Sequence, residues 1–350
     1  MRIALVLASL LSMSMLAGDV EGLRRGGQAS VDLLHAELNG APDELLDRVC
    51  AQKDCHTSRL FWYTDLGEAQ DAARALGRPI LSLYLLGRLD EELSCANSRF
   101  FRVMLYSDPE IASILRDRYV LHWHSVRPVP RVTIDMGDGR KIQQTITGNS
   151  VHFLLDENGA VLDALPGLHS PRAFRAQLEE WLTLDRAQLR EYHATHAKDA
   201  IDRGVALGFV KFSERRTRKP TAQEAARIAM SKMRVERPLL TQLTIGLRPP
   251  AVESIPIKDD VVFSAESLAL MGSKQPLTDE LMTNLRRTVA IDTIFNDVDL
   301  HRRIHEWFAA GEVEDLASLN ERVYDELFLT PSDDPWLGLN PASVFAAIGK

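Results

Sequence analysis

Three cysteines, Cys50, Cys55 and Cys95, are the residues of this 350-residue chain best suited to covalent chemistry. Cys95 is followed by Ala96, Asn97 and Ser98. The stretch from Leu81 to Val120 reads as strand, loop, cysteine at a helix start, helix, strand. A thiol at a helix start meets the positive end of the backbone dipole, which favours thiolate over thiol. Ser98, about one helical turn on, is placed to hydrogen-bond the sulfur. Cys95 is therefore the candidate nucleophile and Ser98 its partner. One such thiol attacks a disulfide and holds the mixed disulfide, but it does not store two electrons within one chain. Arg99 and Arg102 add positive charge nearby, and Asp90, Glu91 and Glu92 oppose it. The competing reading is an inert buried cysteine, because free cysteine is among the most buried residue types.

An odd cysteine count leaves one thiol over in an oxidising compartment. Either Cys50 and Cys55 pair with each other, or one of them resolves a disulfide with Cys95. The histidines offer further chemistry. In a strand from Tyr119, His122 and His124 share a face. Together with His152 they would give a metal site or a base near Cys95 if their strands were neighbours; structural or surface roles are the alternative. His301 and His305 are four apart on an expected helix, which is metal-ligand spacing, but no third ligand is identifiable. Glu306 follows the second histidine, so the order is not the His-Glu-x-x-His of zinc proteases. Asp333 and Asp334 fit a turn. No metal centre is assigned and no organic cofactor is implied.

The elements that must position these groups follow from pattern. Apolar spacing predicts short helices over Ala29 to Leu38 and Asp43 to Val49. Leu60 to Tyr63 reads as a first strand. Asp65 and Glu68 form a capping-box pattern that opens a helix ending at Gly77. Ile80 to Leu86 is apolar enough to be a central strand. After Cys95, a helix buries Phe100, Phe101, Met104 and Leu105. Asp108 and Pro109 open another, with Ile111, Ile114 and Leu115 inward. A hairpin is expected over Arg131 to Ile146, and a second over Val151 to Leu165 turning at Asp156-Glu157-Asn158-Gly159. Ser170-Pro171 starts a helix carrying Phe174, Leu178, Trp181 and Leu182. Beyond about residue 186 the pattern is mainly helical: Thr221 to Met233, Leu277 to Phe308, Leu316 to Leu327 and Ala342 to Ile348. Lys211 to Lys219 is a basic run best read as a solvated loop, and Pro331 to Trp336 is turn-rich. The order of elements indicates an α/β fold.

Cys95-x-x-Ser98, Ser107-Asp108-Pro109-Glu110-Ile111, Tyr119-Val120 and Arg127-Pro128 together resemble the thioredoxin-like superfamily, over roughly residues 59 to 185. The resemblance implies a thioredoxin-like core, a central sheet flanked by helices, with a mainly α-helical C-terminal domain over 186–350 and a hairpin insertion near 131–146. It also places Asn149 and Ser150 opposite the thiol, as the substrate edge. Two features depart from the pattern. Ser98 stands where a second cysteine is usual, and Gly148-Asn149-Ser150 stands where relatives carry a proline that shapes the peptide-binding edge.

A net charge of −8 argues against general nucleic-acid binding. Met1-Arg2 followed by an apolar run from Ile3 to Ala17 has the size and polarity of a signal peptide, with residues 18–58 a helical segment after it. Export to the periplasm or exterior is expected, with tethering to the membrane if that segment is not cleaved, and no spanning helix after it. Two functions are consistent with the sequence. One is thiol–disulfide exchange at Cys95 on protein or small-molecule thiols. The other is a non-catalytic thioredoxin-like module that docks a protein partner.

Overall fold

The structure, a computed structural model, describes residues 19–145, 148–207 and 261–330. The apolar N-terminal run, the basic run from Lys211, the helix expected from Thr221 and the segments after Thr330, with Asp333 and Asp334, lie outside the described residues. Among the described residues four short helices come first: α1 (Val20–Arg25), α2 (Gln28–Glu37), α3 (Glu44–Cys50) and α4 (Cys55–Ser58). Asp43 caps α3 by accepting from the N–H groups of Leu45 and Leu46. Val31, Leu34, Leu46, Val49 and Phe61 make a small core here, into which Cys50 and Cys55 are folded.

The strand expected at Leu60 to Tyr63 does not form. Its backbone groups are spent elsewhere: Trp62 N–H donates to the Cys50 carbonyl at 3.0 Å, and Arg24 donates to the Trp62 carbonyl at 2.9 Å. Only Tyr63 makes a parallel bridge, to His122.

Helix α5 (Leu66–Leu76) starts on the Asp65 cap and stops at Gly77, whose positive φ ends it. Then come β1 (Ile80–Leu86), α6 (Ala96–Phe100) running into a wide π turn at Phe101–Leu105, α7 (Pro109–Arg118) and β2 (Val120–Arg127). Strands β3 (Arg131–Asp135) and β4 (Lys141–Thr145) form a separate two-stranded ribbon. Strands β5 (Ser150–Leu155) and β6 (Val161–Pro166) form the second hairpin, followed by α8 (Pro171–Trp181). The main sheet has four strands in the order β2-β1-β5-β6. β1 runs parallel to β2 and antiparallel to β5, and β6 is antiparallel to β5. β1 therefore lies inside the sheet, which is why its residues are buried on both faces apart from the half-buried Tyr84.

The C-terminal part is helical: α9 (Leu189–Ala206), α10 (Ala265–Lys274), α11 (Asp279–Phe295), α12 (Arg302–Ala310) and α13 (Leu316–Arg322). The stretch expected to be helical over Leu277 to Phe308 is helical from Asp279 to Ala310, with a change of pitch inside it. A π turn at Asn296–His301 separates α11 from α12, and another at Val323–Leu327 extends α13. The first π turn abuts the sheet: the Asn296 amide donates to the Leu168 carbonyl at 2.7 Å. Met271, Met282, Val289, Trp307, Leu319 and Tyr324 join the sheet residues in one continuous core. No helix among the described residues is long and apolar enough to cross a membrane.

Candidate functional site

Two buried polar centres lie in this core. The first surrounds Cys95. The thiol follows β1, anchored by its own N–H donating to the Leu86 carbonyl at 3.2 Å, and it stands at the N-cap of α6. The predicted partner is in place: Cys95 Sγ lies 3.4 Å from Ser98 Oγ, and Ser98 Oγ donates to the Cys95 carbonyl at 2.8 Å. Since that bond uses the Ser98 proton, Ser98 accepts from the thiol. Ser150 Oγ, at the start of β5, lies 3.2 Å from the sulfur, and the Asn149 carbonyl lies 3.9 Å away. The residues expected opposite the thiol are thus opposite it. Gly148 permits this approach, because a Cβ there would come within 2.9 Å of the Ala96 Cβ.

The sulfur has no contact with solvent: Cys95 is 0% exposed. The chain's own C-terminal part closes the site. Tyr324 hydroxyl donates to the Asn149 carbonyl at 3.2 Å, and the Asn149 amide donates to Thr330 Oγ1 at 2.9 Å. Burial, with the nearby Cys95, pushes the Tyr324 and Tyr106 hydroxyls well above the ordinary tyrosine range, so both stay neutral donors. Cys50 and Cys55 are joined in a disulfide across five residues. They belong to the N-terminal cluster, whereas Cys95 is free and belongs to the main core.

The charges expected beside the thiol are used in tying elements together. Arg102 is buried and donates to Asp54 Oδ2 at 2.7 Å, and Lys274 on α10 pairs with Asp54 and Glu92. A cavity of about 260 Å³ lies beside them, between Phe100 and Val103 on one side and Met271, Leu281 and Leu285 on the other. Cys95 does not line it.

The three sheet histidines do not cluster. Ser82 pairs with His122 on one side and Phe153 on the other, while Leu83 pairs with His152. In this register His122 and His152 project from opposite faces. His122 Nδ1 bonds Ser82 Oγ at 2.7 Å, and His152 Nε2 bonds the Tyr106 hydroxyl at 2.7 Å. Burial pushes His122 down to about 4 and His152 down to about 3, so both are neutral. His124 is exposed.

The second centre surrounds Asp163 on β6, which is 0% exposed. Its Oδ2 accepts from the Trp181 indole at 2.8 Å and from the Tyr192 hydroxyl at 3.5 Å. Its Oδ1 accepts from Ala164 N–H at 2.8 Å and lies 3.1 Å from His301 Nε2. His305 Nδ1 is 4.0 Å from the same oxygen and 2.7 Å from His193 Nδ1. Burial pushes Asp163 up, but the adjacent His301 and His305 outweigh it and hold the carboxyl well below its usual range. Asp163, His193 and His305 each present one donor atom, all within 4.8 Å of one another. β6 and α9 thus bring Asp163 and His193 to His305. One signal pointed to it: Asp163 is an acid inside the apolar run Val161-Leu162-Asp163-Ala164-Leu165. The contacts of Tyr106, Tyr324 and Thr330 had no such signal.

No protein-family model matches this chain, and no curated protein matches it in sequence.

Proposed function

We propose that the α/β part is a thioredoxin-like module with a sealed thiol, and that it serves as a binding or scaffold module docking a protein partner. The order β2-β1-β5-β6, Cys95 after β1 and the Asn149-Ser150 step before β5 support the thioredoxin-like reading. The observation that carries the functional reading is the occupied edge. Tyr324 and Thr330 bond Asn149 beside a fully buried Cys95, so an incoming disulfide has neither the sulfur nor the adjacent carbonyl to approach. The Cys50–Cys55 disulfide supports residence in an oxidising compartment, in keeping with export.

Exchange at Cys95 is the second reading. It is favoured by the two hydroxyls, Ser98 and Ser150, within 3.4 Å of the sulfur. It requires the Tyr324–Thr330 segment to move away first.

Native alkylation with iodoacetamide separates the two, with each cysteine read by mass spectrometry. The sealed module predicts that Cys95 reacts at least about a hundredfold more slowly in the folded chain than in urea, as expected of a group reached only through opening. A native rate near that of an exposed thiol, rising with pH below about 8, overturns the sealed reading and supports exchange.

A further inference from the structure

We propose that Asp163, His193 and His305 bind one divalent transition-metal ion, zinc being the best fit, which pins the helical part to the last strand of the sheet, with His301 hydrogen-bonded to the ligating carboxylate. The four side chains come from separate elements: β6, α9, the π turn and α12. All are buried, at 0%, 0%, 2% and 3% exposed. Three buried donors within 4.8 Å of one another make the kernel of a zinc site, and an imidazole and carboxylate set without thiolate suits zinc.

The spacing is near what an ion requires. Donors about 2.1 Å from a tetrahedral ion lie roughly 3.4 Å apart. The separations here are 2.7 Å between His193 and His305, 3.1 Å between Asp163 and His301, and 4.0 Å between Asp163 and His305. The first two fall below that value and the third above it, so the donors shift when an ion binds.

The outer contacts have the pattern of a metal centre. A ligating histidine typically donates its far N–H to a carbonyl, and a ligating carboxylate is itself hydrogen-bonded. His193 Nε2 lies 2.9 Å from the Leu162 carbonyl, so the proton sits on Nε2 and the Nδ1 lone pair faces the centre. Trp181 and Tyr192 hold Asp163 Oδ2, orienting the carboxylate. The nearby His196 is excluded by the same test, because both its nitrogens are engaged, with Glu180 and the Tyr192 carbonyl.

The protons balance without net release from neutral imidazoles. Without an ion, His305 Nδ1–H donates to the His193 Nδ1 lone pair and His301 Nε2–H donates to Asp163. With an ion, the His305 proton sits on its far nitrogen, His301 keeps its bond to Asp163, and the lone pairs of His193, His305 and the Asp163 carboxylate meet the metal. One carboxylate charge offsets half of the ion's. The centre is buried, which suits a structural role.

The test uses the full chain, treated with a chelator and returned to metal-free buffer, then titrated with Zn²⁺ and separately with Co²⁺. The expected result is one equivalent bound, a tetrahedral Co²⁺ absorption without a thiolate charge-transfer band, and a Tm that rises with Zn²⁺. Affinity should fall at least about a hundredfold in His193→Ala and His305→Ala, and stay unchanged in Cys95→Ser and in the exposed His124→Ala. Three results overturn the proposal: no ion taken up by the unmodified chain, a thiolate band that moves the ion to Cys95, or undiminished binding in both histidine variants. The first two are read on the unmodified chain, so a variant that fails to fold does not blunt the test.

Discussion

The Cys95 centre and the Asp163 centre are both buried and polar, but they are stabilised differently. Around the Cys95 sulfur stand uncharged groups: the Ser98 and Ser150 hydroxyls, the Asn149 amide and two tyrosines kept protonated by burial. Around Asp163 a carboxylate is charged and is surrounded by histidines, an indole and a phenol. A neutral cluster needs only hydrogen bonds to be tolerated in a core, whereas a buried charge needs opposite charge or a metal. The comparison predicts that the first centre tolerates perturbation and the second does not.

The strongest way to break this contrast is Asp163→Ala. It removes the carboxylate that Trp181, Tyr192, Ala164 and His301 all bond. The expected loss is about 3–5 kcal/mol of folding stability, read from urea unfolding. A loss below about 1 kcal/mol would show that the carboxylate is not holding the centre together.

The second test is pH. His122, facing His124 and Asp65, and His152, facing His169 and Tyr106, are neutral in the fold, with values pushed down from 6.5 to about 4 and about 3 by burial. The unfolded chain takes up these protons near pH 6.5 and the folded chain does not. Stability therefore falls as pH drops below 6.5, by up to about 1.4 kcal/mol per pH unit for each group. The loss levels off only below about 4 for His122 and about 3 for His152. A urea midpoint that stays flat between pH 7 and pH 5 would mean that these histidines are charged or open in the fold.

The smallest effect sharpens the account of the thiol. Tyr324→Phe removes one neutral hydrogen bond, to the Asn149 carbonyl. The expected cost is about 1 kcal/mol, with a several-fold faster native alkylation of Cys95. Unchanged alkylation would place the seal elsewhere than at Tyr324.

Local chemistry was legible in the sequence. The Asp65, Asp108 and Ser170 caps, the β1 strand, both hairpins and the approach of Ser98 to Cys95 all rest on neighbours a few residues apart. Leu60 to Tyr63 failed as a strand because Arg24 and Cys50, distant in sequence, claimed its backbone groups. The His122, His124 and His152 cluster failed because strand register, which no short pattern encodes, sent His122 and His152 to opposite faces.

By itself the sequence determined element types, helix ends, and that Cys95 stands at a helix start with a hydroxyl one turn away. Tertiary structure alone decided that Cys95 is sealed, because the seal comes from Tyr324 and Thr330, over two hundred positions on. It alone gathered Asp163, His193, His301 and His305, from a strand and helices up to 142 residues apart. The physical reason is range: capping and periodicity act within a turn or two, whereas burying a thiol or assembling charged ligands requires elements that meet only when the core closes.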